Sequence, residues 1–411
     1  MTSHTHPPSP TEDEAQSHHV DEREGRSMTD SLRILVTGAA GLVGAEVTAR
    51  LAAAGHRVTA LVHRNPALVR NDGTPLETGA VTCLSGDVTK PRLGLPEATY
   101  RELAAGGLDR IVHCAAITDF GLPDEIYQAV NVDGTAHVIE LARAGGIPLV
   151  HVGTAYVCGE RDGSIAETEL DEGQRLANAY EDSKFRAETL VHKAQGDGVR
   201  AAIVRPSIVV GDERTGVVRD YKNIYVVLRL TTEGRVRSLP GQYEARLDLV
   251  PVDYVADVIT EVTHRFEEAA GRTFHAVGAP LTLRDFSDVL AEYPPFQVPR
   301  FVPATSFDVA RLPRRERSYH ERVITLYESY FRRRMSFDDA HTAGFTTRRA
   351  PGNAQDFLRV LIDHCLESGY LGRSPADVTE APDRPDAPGP GATSAGNGAG
   401  PAGSVRNGAG R

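Results

Sequence analysis

Residues 34–44 read ILVTGAAGLVG. A run of apolar and β-branched residues passes straight into three glycines, Gly38, Gly41 and Gly44, set three apart. Arg33–Thr37 predicts a buried strand, and the following AEVTARLAAAG predicts a helix that stops at Gly55. The glycines between them have a steric purpose. The first lets the chain turn sharply off the strand, the second lets the backbone approach a pyrophosphate, and the third lets the helix pack closely on the sheet. The N–H groups at the helix start then face phosphate charge, which makes Ala40, Leu42 and Val43 cofactor neighbours beside the three glycines. A glycine trio alone carries little weight. Between a strand and a helix it has the context that dinucleotide binding requires.

Reading outward, RVTALV (57–62) predicts the next strand. A NAD site usually places Asp or Glu at its end to hold the ribose hydroxyls, but here His63, Arg64 and Asn65 follow. Arg64 carries the positive charge that a 2′-phosphate attracts, which favours NADPH/NADP+; the alternative is a solvated loop arginine. VTCLSGDV (81–88) predicts a third strand, with Asp87 placed to accept from the adenine amino group and Val88 to lie against the ring. DRIVHCAAIT (109–118) predicts a fourth, whose small residues Cys114, Ala115 and Ala116 leave room for a cofactor crossing the carboxyl ends of the strands. Alternating strands and helices imply an α/β fold, a Rossmann-type doubly wound parallel sheet.

A chemical constellation follows. YQAVNVDGTAHVIELARAGG (127–146) predicts a long helix with Asn131 inside it, and PLVHVGTAYVCG (148–159) a strand with Thr154 near its carboxyl end. In ANAYEDSKFRAETLVHKA, Tyr180 and Lys184 are four apart and share one helix face. A free phenol, with a pKa of about 10, is a poor acid–base group at neutrality. A neighbouring ammonium stabilises its phenolate and lowers that value. In the reducing direction Tyr180 gives a proton to a carbonyl oxygen, Thr154 holds that oxygen, Lys184 also holds the nicotinamide ribose, and Asn131 anchors a water that relays protons to Lys184.

Bulk properties narrow the class. A net charge of −11 argues against a nucleic-acid partner. No stretch reaches the ~18 apolar residues that a membrane span needs, and four widely spaced cysteines form no metal knuckle or CxxC pair. Their expected state is buried free thiol in a reducing compartment, and the expected location is the cytoplasm. No metal site is expected. Residues 1–30, rich in His, Ser, Pro and acids, lack the basic leader and apolar run of a signal peptide, and with 373–411 they read as disordered tails. The body divides into a cofactor domain with the catalytic residues, 31–211, and a mixed substrate-binding region, 212–372, that includes returning Rossmann elements.

TGAAGLVG, the Asn131–Thr135 run, YEDSK and RPSIVVG together resemble an extended short-chain dehydrogenase/reductase over about 32–257. That family's catalytic set falls here on Thr154, Tyr180, Lys184 and Asn131, with threonine in place of the usual serine, and its segment beside nicotinamide falls on Arg205, Pro206, Ser207 and Ile208. HVGTAYVCG and RPSIVVGDERTG resemble more closely the male-sterility branch, which holds fatty acyl-CoA reductases and the thioester-reductase domains of carboxylic acid reductases and peptide synthetases. Sugar epimerases usually carry VYG at both places. The resemblance implies an NADPH-dependent reductase of a CoA- or carrier-protein-bound acyl thioester, or of the derived aldehyde, with an acyl-carrier protein as partner and a homodimer as the family habit. The alternative is an NADP(H)-dependent ketone or alcohol oxidoreductase acting on a polyketide, terpenoid or steroid-like substrate.

In the last third, SYHERVITLYESYFRRRMSFDDA (318–340) predicts a helix broken near Met335–Ser336, within a smaller, mainly helical substrate lobe. Arginines at 311, 314, 315, 317 and 332–334 admit two readings: a cluster at the cleft mouth that meets phosphates of CoA or a carrier protein, or a solvated face paired with nearby acids.

Overall fold

The computed structural model describes residues 31–372 apart from 65, 77 and 78, so both terminal tails lie outside the described residues. Seven parallel strands form the central sheet, in the order Val81–Ser85, Arg57–Val62, Arg33–Thr37, Arg110–His113, Leu149–Val152, Ala201–Pro206 and Thr273–Ala276. The inner strands are apolar on both sides because helices cover both faces, whereas the edge strand Val81–Ser85 is largely exposed. Ile34, Val36, Val112 and Val150 pack into one core cluster, while Leu35, Ile111 and Leu149 pack into the cluster on the other face. Chain order reverses between Arg33–Thr37 and Arg110–His113, which opens a crevice outside their carboxyl ends.

The helix Val252–His264 and the strand Thr273–Ala276 return from the second half of the chain to complete this layer. The remaining lobe carries the helices Ile224–Thr232, Leu283–Ala291, Arg314–Arg322 and Ala354–Glu367. Short strands stitch it together: Gly163–Ile165 pairs with Met335–Phe337, Ser238–Pro240 with Arg300–Val302, and Arg246–Pro251 lies between Ile208–Val210 and Pro280–Thr282. Thr282 and Asp285 form a reciprocal capping box at the start of Leu283–Ala291. Among the described residues no helix is long and apolar enough to cross a membrane.

Three expected elements differ: the strand expected over 148–159 stops at Val152 and gives way to a 3₁₀ turn at Ala155–Cys158. The helix around Asn131 begins at Asp124, and Gln128–Asp133 forms a π turn before regular helix resumes at Gly134–Gly145. The segment 318–340 is helical only to Arg322; 3₁₀ turns at Ile324–Leu326 and Glu328–Phe331 follow, then the strand Met335–Phe337. The β-branched run Val323-Ile324-Thr325 weakens helix at the break. All four cysteines are free, but only Cys158 and Cys365 are buried; Cys83 is exposed and Cys114 half-buried.

Candidate active site

The crevice between sheet and lobe holds a cavity of about 450 Å³. Its cofactor end is the glycine loop. Gly38 turns off the first strand at φ +68°, and a Cβ there would lie 2.6 Å from the Ala115 nitrogen. A Cβ on Gly44 would overlap the Gly38 carbonyl oxygen, so the third glycine packs helix against turn rather than helix against strand. Gly41 precedes the helix Leu42–Ala53 in extended conformation, and neither a capping side chain nor an acidic residue occupies that helix's first turn. The first backbone N–H groups of a helix have no partners within it. Together with the Cβ-free cradle, they fit a dinucleotide pyrophosphate. Thr37 Oγ1 accepts from the Ala115 nitrogen at 3.3 Å, tying the neighbouring strand end to this turn.

Gly38, Gly41, Leu42, Val43, Gly44, Cys114, Ala116, Thr154, Tyr180, Ser207 and Ile208 all line the cavity. Ala40 stands behind the loop, with its carbonyl accepting from Arg219, and the Pro206 carbonyl accepts from Thr154 Oγ1 at 3.3 Å. His63 and Arg64 are exposed beyond the second strand. His63 Nε2 lies 3.5 Å from Asp87 Oδ2, while Asp87 Oδ1 accepts from the Thr89 nitrogen and hydroxyl. Val88 packs on Gly134. These four residues form a separate group at the second and third strand ends, outside the cavity lining.

Thr154 caps a short 3₁₀ turn, Ala155–Cys158, directly after its strand. Tyr180 sits in the first turn of Ala179–Gly196, a helix that Asn178 caps by accepting from the Glu181 nitrogen. Tyr180 and Thr154 line the same cavity, and the Thr154 hydroxyl donates to the Pro206 carbonyl. Burial pushes the Tyr180 phenol up to about 12, while the nearby Thr154 hydroxyl works in the opposite direction. The expected lowering by Lys184 is therefore not what this environment produces. The Lys184 ammonium is buried and donates to the Val152 carbonyl at 2.9 Å. Burial lowers its pKa to about 8, against the raising effects of Glu188 and Cys114.

Asn131 has its own fixed partners. Its side chain donates to Ser183 Oγ at 2.8 Å and to the Ile117 carbonyl at 3.1 Å, and accepts from the Ile117 nitrogen at 2.8 Å. It clamps the loop after the fourth strand to the Tyr180 helix. The π turn gives this interior amide its placement, a common feature of functional helices.

Phe120, Tyr156, Tyr327, Tyr330 and Phe331 form an aromatic wall at the far end, with Ile224, Val227 and Leu247 beside it. Phe120 packs against Tyr180 with ring centroids 5.5 Å apart, and against Tyr327 at 5.3 Å. The 3₁₀ turns that replace the expected helix deliver the last three aromatics. Below Ser207 lies Asp248, which accepts from the Ser207 hydroxyl and from the Gly278 nitrogen. Burial raises this carboxyl to about 7 against both hydrogen bonds. Sequence reasoning missed Asp248, Phe120 and Arg219. Asp248 has no motif to reveal it, but Asp119-Phe120, in the loop that follows the fourth strand, could have marked a cavity position.

The arginine cluster is not one surface. Arg333 is buried and bonds Glu181 at 2.7 Å while lying over the Tyr330 ring. Arg334 pairs with Asp162 at the surface, and Arg332 lies 3.6 Å from Glu328 and 3.8 Å from Glu160. Arg311, Arg314 and Arg315 are exposed, and Arg311 pairs with Asp308.

This arrangement of nucleotide cradle and paired hydroxyls puts the protein among NAD(P)-dependent oxidoreductases of the extended short-chain dehydrogenase/reductase class. Residues 36–259, over half of the 411-residue chain, match the family model described as Male sterility protein, and the chain belongs to that family. The terminal R domain of the myxalamid PKS-NRPS biosynthetic pathway superposes with a TM-score of 0.69 at 25% identity, covering 84% of this chain and 93% of that one. A linear gramicidin synthase polypeptide of Brevibacillus parabrevis is 30% identical over 213 residues, 50% of this chain but 4% of its own length. Isonitrile lipopeptide synthase of Streptomyces coeruleorubidus is 26% identical over 276 residues, 64% of this chain and 18% of its own length. The chain thus spans a small part of the curated relatives it matches.

Proposed function

We propose that this protein is an NADPH-dependent reductase of acyl thioesters carried on CoA or on a carrier protein, yielding the aldehyde and, in a second round, the alcohol. The carrying observation is the Tyr180–Thr154 hydroxyl pair in one cavity with the glycine loop and an aromatic wall. The R-domain likeness supports a carrier-bound substrate, and four free cysteines support a cytoplasmic setting.

The glycine loop and the helix start at Leu42 would hold the dinucleotide phosphates, Asp87 and Val88 the adenine, Arg64 the 2′-phosphate, and Ser207 and Ile208 the nicotinamide side. When bound, the cofactor supplies a hydride for the carbonyl carbon. Tyr180 gives its proton to the carbonyl oxygen; a phenol raised to about 12 retains that proton at neutrality. Thr154 holds the same oxygen by its hydroxyl. Lys184 supplies positive charge behind the phenolate left on Tyr180. Collapse of the resulting hemithioacetal breaks the C–S bond, releasing thiol and aldehyde. Overall, one thioester, one hydride and one proton give one aldehyde and one thiol. The aromatic wall suits an uncharged lipid- or polyketide-like acyl group.

NADPH absorbance followed with acyl-CoA, acyl-pantetheine, free aldehydes and free ketones tests the reading. Oxidation with thioesters is expected. Turnover of ketones alone would move the assignment to a ketone/alcohol oxidoreductase.

A further inference from the structure

Arg219 belongs to the substrate lobe by sequence, yet its side chain lies on the glycine loop. It follows the strand Ile208–Val210 and precedes the helix Ile224–Thr232. Its Nη2 donates to the Ala40 carbonyl at 3.2 Å and its Nη1 to the Val69 carbonyl at 2.6 Å. Nε and Nη2 each reach Asp220 Oδ2 at 3.1 Å. A guanidinium has five N–H donors. Four of these contacts are accounted for, which leaves one Nη1 hydrogen with no partner among the described residues.

The main chain around it is fixed as firmly. The Arg219 nitrogen donates to Asn71 Oδ1 at 3.2 Å, and Asn71 Nδ2 donates to the Val217 carbonyl at 2.7 Å. Asn71 is buried, and its own nitrogen donates to Glu46 Oε1, on the helix that starts at the glycine loop, at 2.8 Å. Glu46 in turn bonds Arg50 at 2.6 Å. A loop from the second-to-third strand connection and a loop from the substrate lobe are thus laced together over the first helix. Arg219 lines the same cavity as Gly38, Gly41 and Leu42. Its one acidic partner among the described residues, Asp220, is partly exposed, so the cation is incompletely neutralised where an anion would lie.

We propose that Arg219 is a ligand for a phosphate of the bound dinucleotide, and that the Asn71 lacing makes the substrate lobe part of the cofactor clamp. This rests on the reading that the glycine loop holds the dinucleotide. The contact is a charge-assisted hydrogen bond from a pre-positioned fork, a geometry suited to phosphate. Two phosphates are within the chemistry: the pyrophosphate shared by both nicotinamide dinucleotides, and the 2′-phosphate found only in NADPH.

The test is direct titration of NADPH and NADH by calorimetry, which needs no turnover, on the full chain, on Arg219→Gln and on Arg219→Lys. Glutamine keeps an amide donor for the loop carbonyls and removes the charge. Arg219→Gln is expected to weaken NADPH about 10- to 100-fold, the effect of losing one charged hydrogen bond. Arg219→Lys should recover part of it. Equal loss for both nucleotides assigns the pyrophosphate, and loss confined to NADPH assigns the 2′-phosphate; either supports the proposal. A folded Arg219→Gln that binds both within twofold of wild type overturns it. If that variant proves unstable, wild type against Arg219→Lys decides. A salt dependence of Kd shared by both supports a charge contact, and salt-independent binding in both contradicts it. A wild-type chain that binds neither nucleotide overturns the dinucleotide reading itself.

Discussion

At Tyr180, burial and the neighbouring Thr154 hydroxyl oppose each other, and burial wins: the phenol stands at about 12. A group held so firmly protonated is a donor, as a reductase needs. Tyr180→Phe should bind NADPH within about twofold of wild type while losing roughly 10²–10⁴ in turnover, measured by titration and by NADPH oxidation. Lys184 sets the pH limit. Its ammonium is charged below about 8 and neutral above, so turnover should decline as pH rises through that value. A rate that holds level to pH 10 would remove Lys184 from the chemistry. Asp248 acts on stability instead. Its carboxyl is raised from 3.8 to about 7, so the folded state binds the extra proton between those values. Stability from this group is therefore full at low pH and declines as pH rises from about 4 to 7. Asp248→Asn should flatten that slope in thermal melts and match or exceed wild type at pH 8. That Thr154 and Tyr180 reach one cavity was legible because each stands at a position local pattern marks, just past a strand end and at a helix start. Asp248 was not, because it meets Ser207 across 41 residues of chain.

Single elements show where local pattern misleads. The stretch 318–340 has enough helix-forming residues to look continuous, yet beyond Arg322 it is 3₁₀ turn and strand. Tertiary contacts override propensity there: Arg333 turns inward to Glu181, 152 residues away, and Met335–Phe337 joins Gly163–Ile165. Three consecutive arginines thus have three fates, which composition alone does not separate. Arg333→Ala should cost roughly 3–5 kcal/mol in urea unfolding, since it leaves Glu181 buried and unpaired. Arg334→Ala, which breaks a surface pair with Asp162, should cost less than about 1 kcal/mol. Equal effects from the two would contradict the buried-pair account. The π turn at Asn131 was hidden for a related reason, because its register depends on what the amide meets across the fold at Ile117 and Ser183.

Across the whole molecule, the parallel sheet was legible because its strands are short apolar runs closed by turns, and because Gly38–Gly44 fits one local geometry. The substrate lobe was legible only in part, since its short strands pair with distant segments and its aromatic residues serve core and cavity at once. The two halves share the cavity: cradle and hydroxyls come from one, the aromatic wall mostly from the other. Shortening that wall with Tyr327→Ala should raise KM for a long acyl thioester several-fold more than for an acetyl thioester, with cofactor affinity unchanged. The most direct test of the central claim follows the hydride itself. An acyl thioester incubated with NADPH deuterated at the transferred position should give aldehyde with one deuterium on the former carbonyl carbon, or alcohol with two, and Tyr180→Phe should give neither at a comparable rate. Release of unlabelled carboxylic acid, or no label on that carbon, would contradict the account.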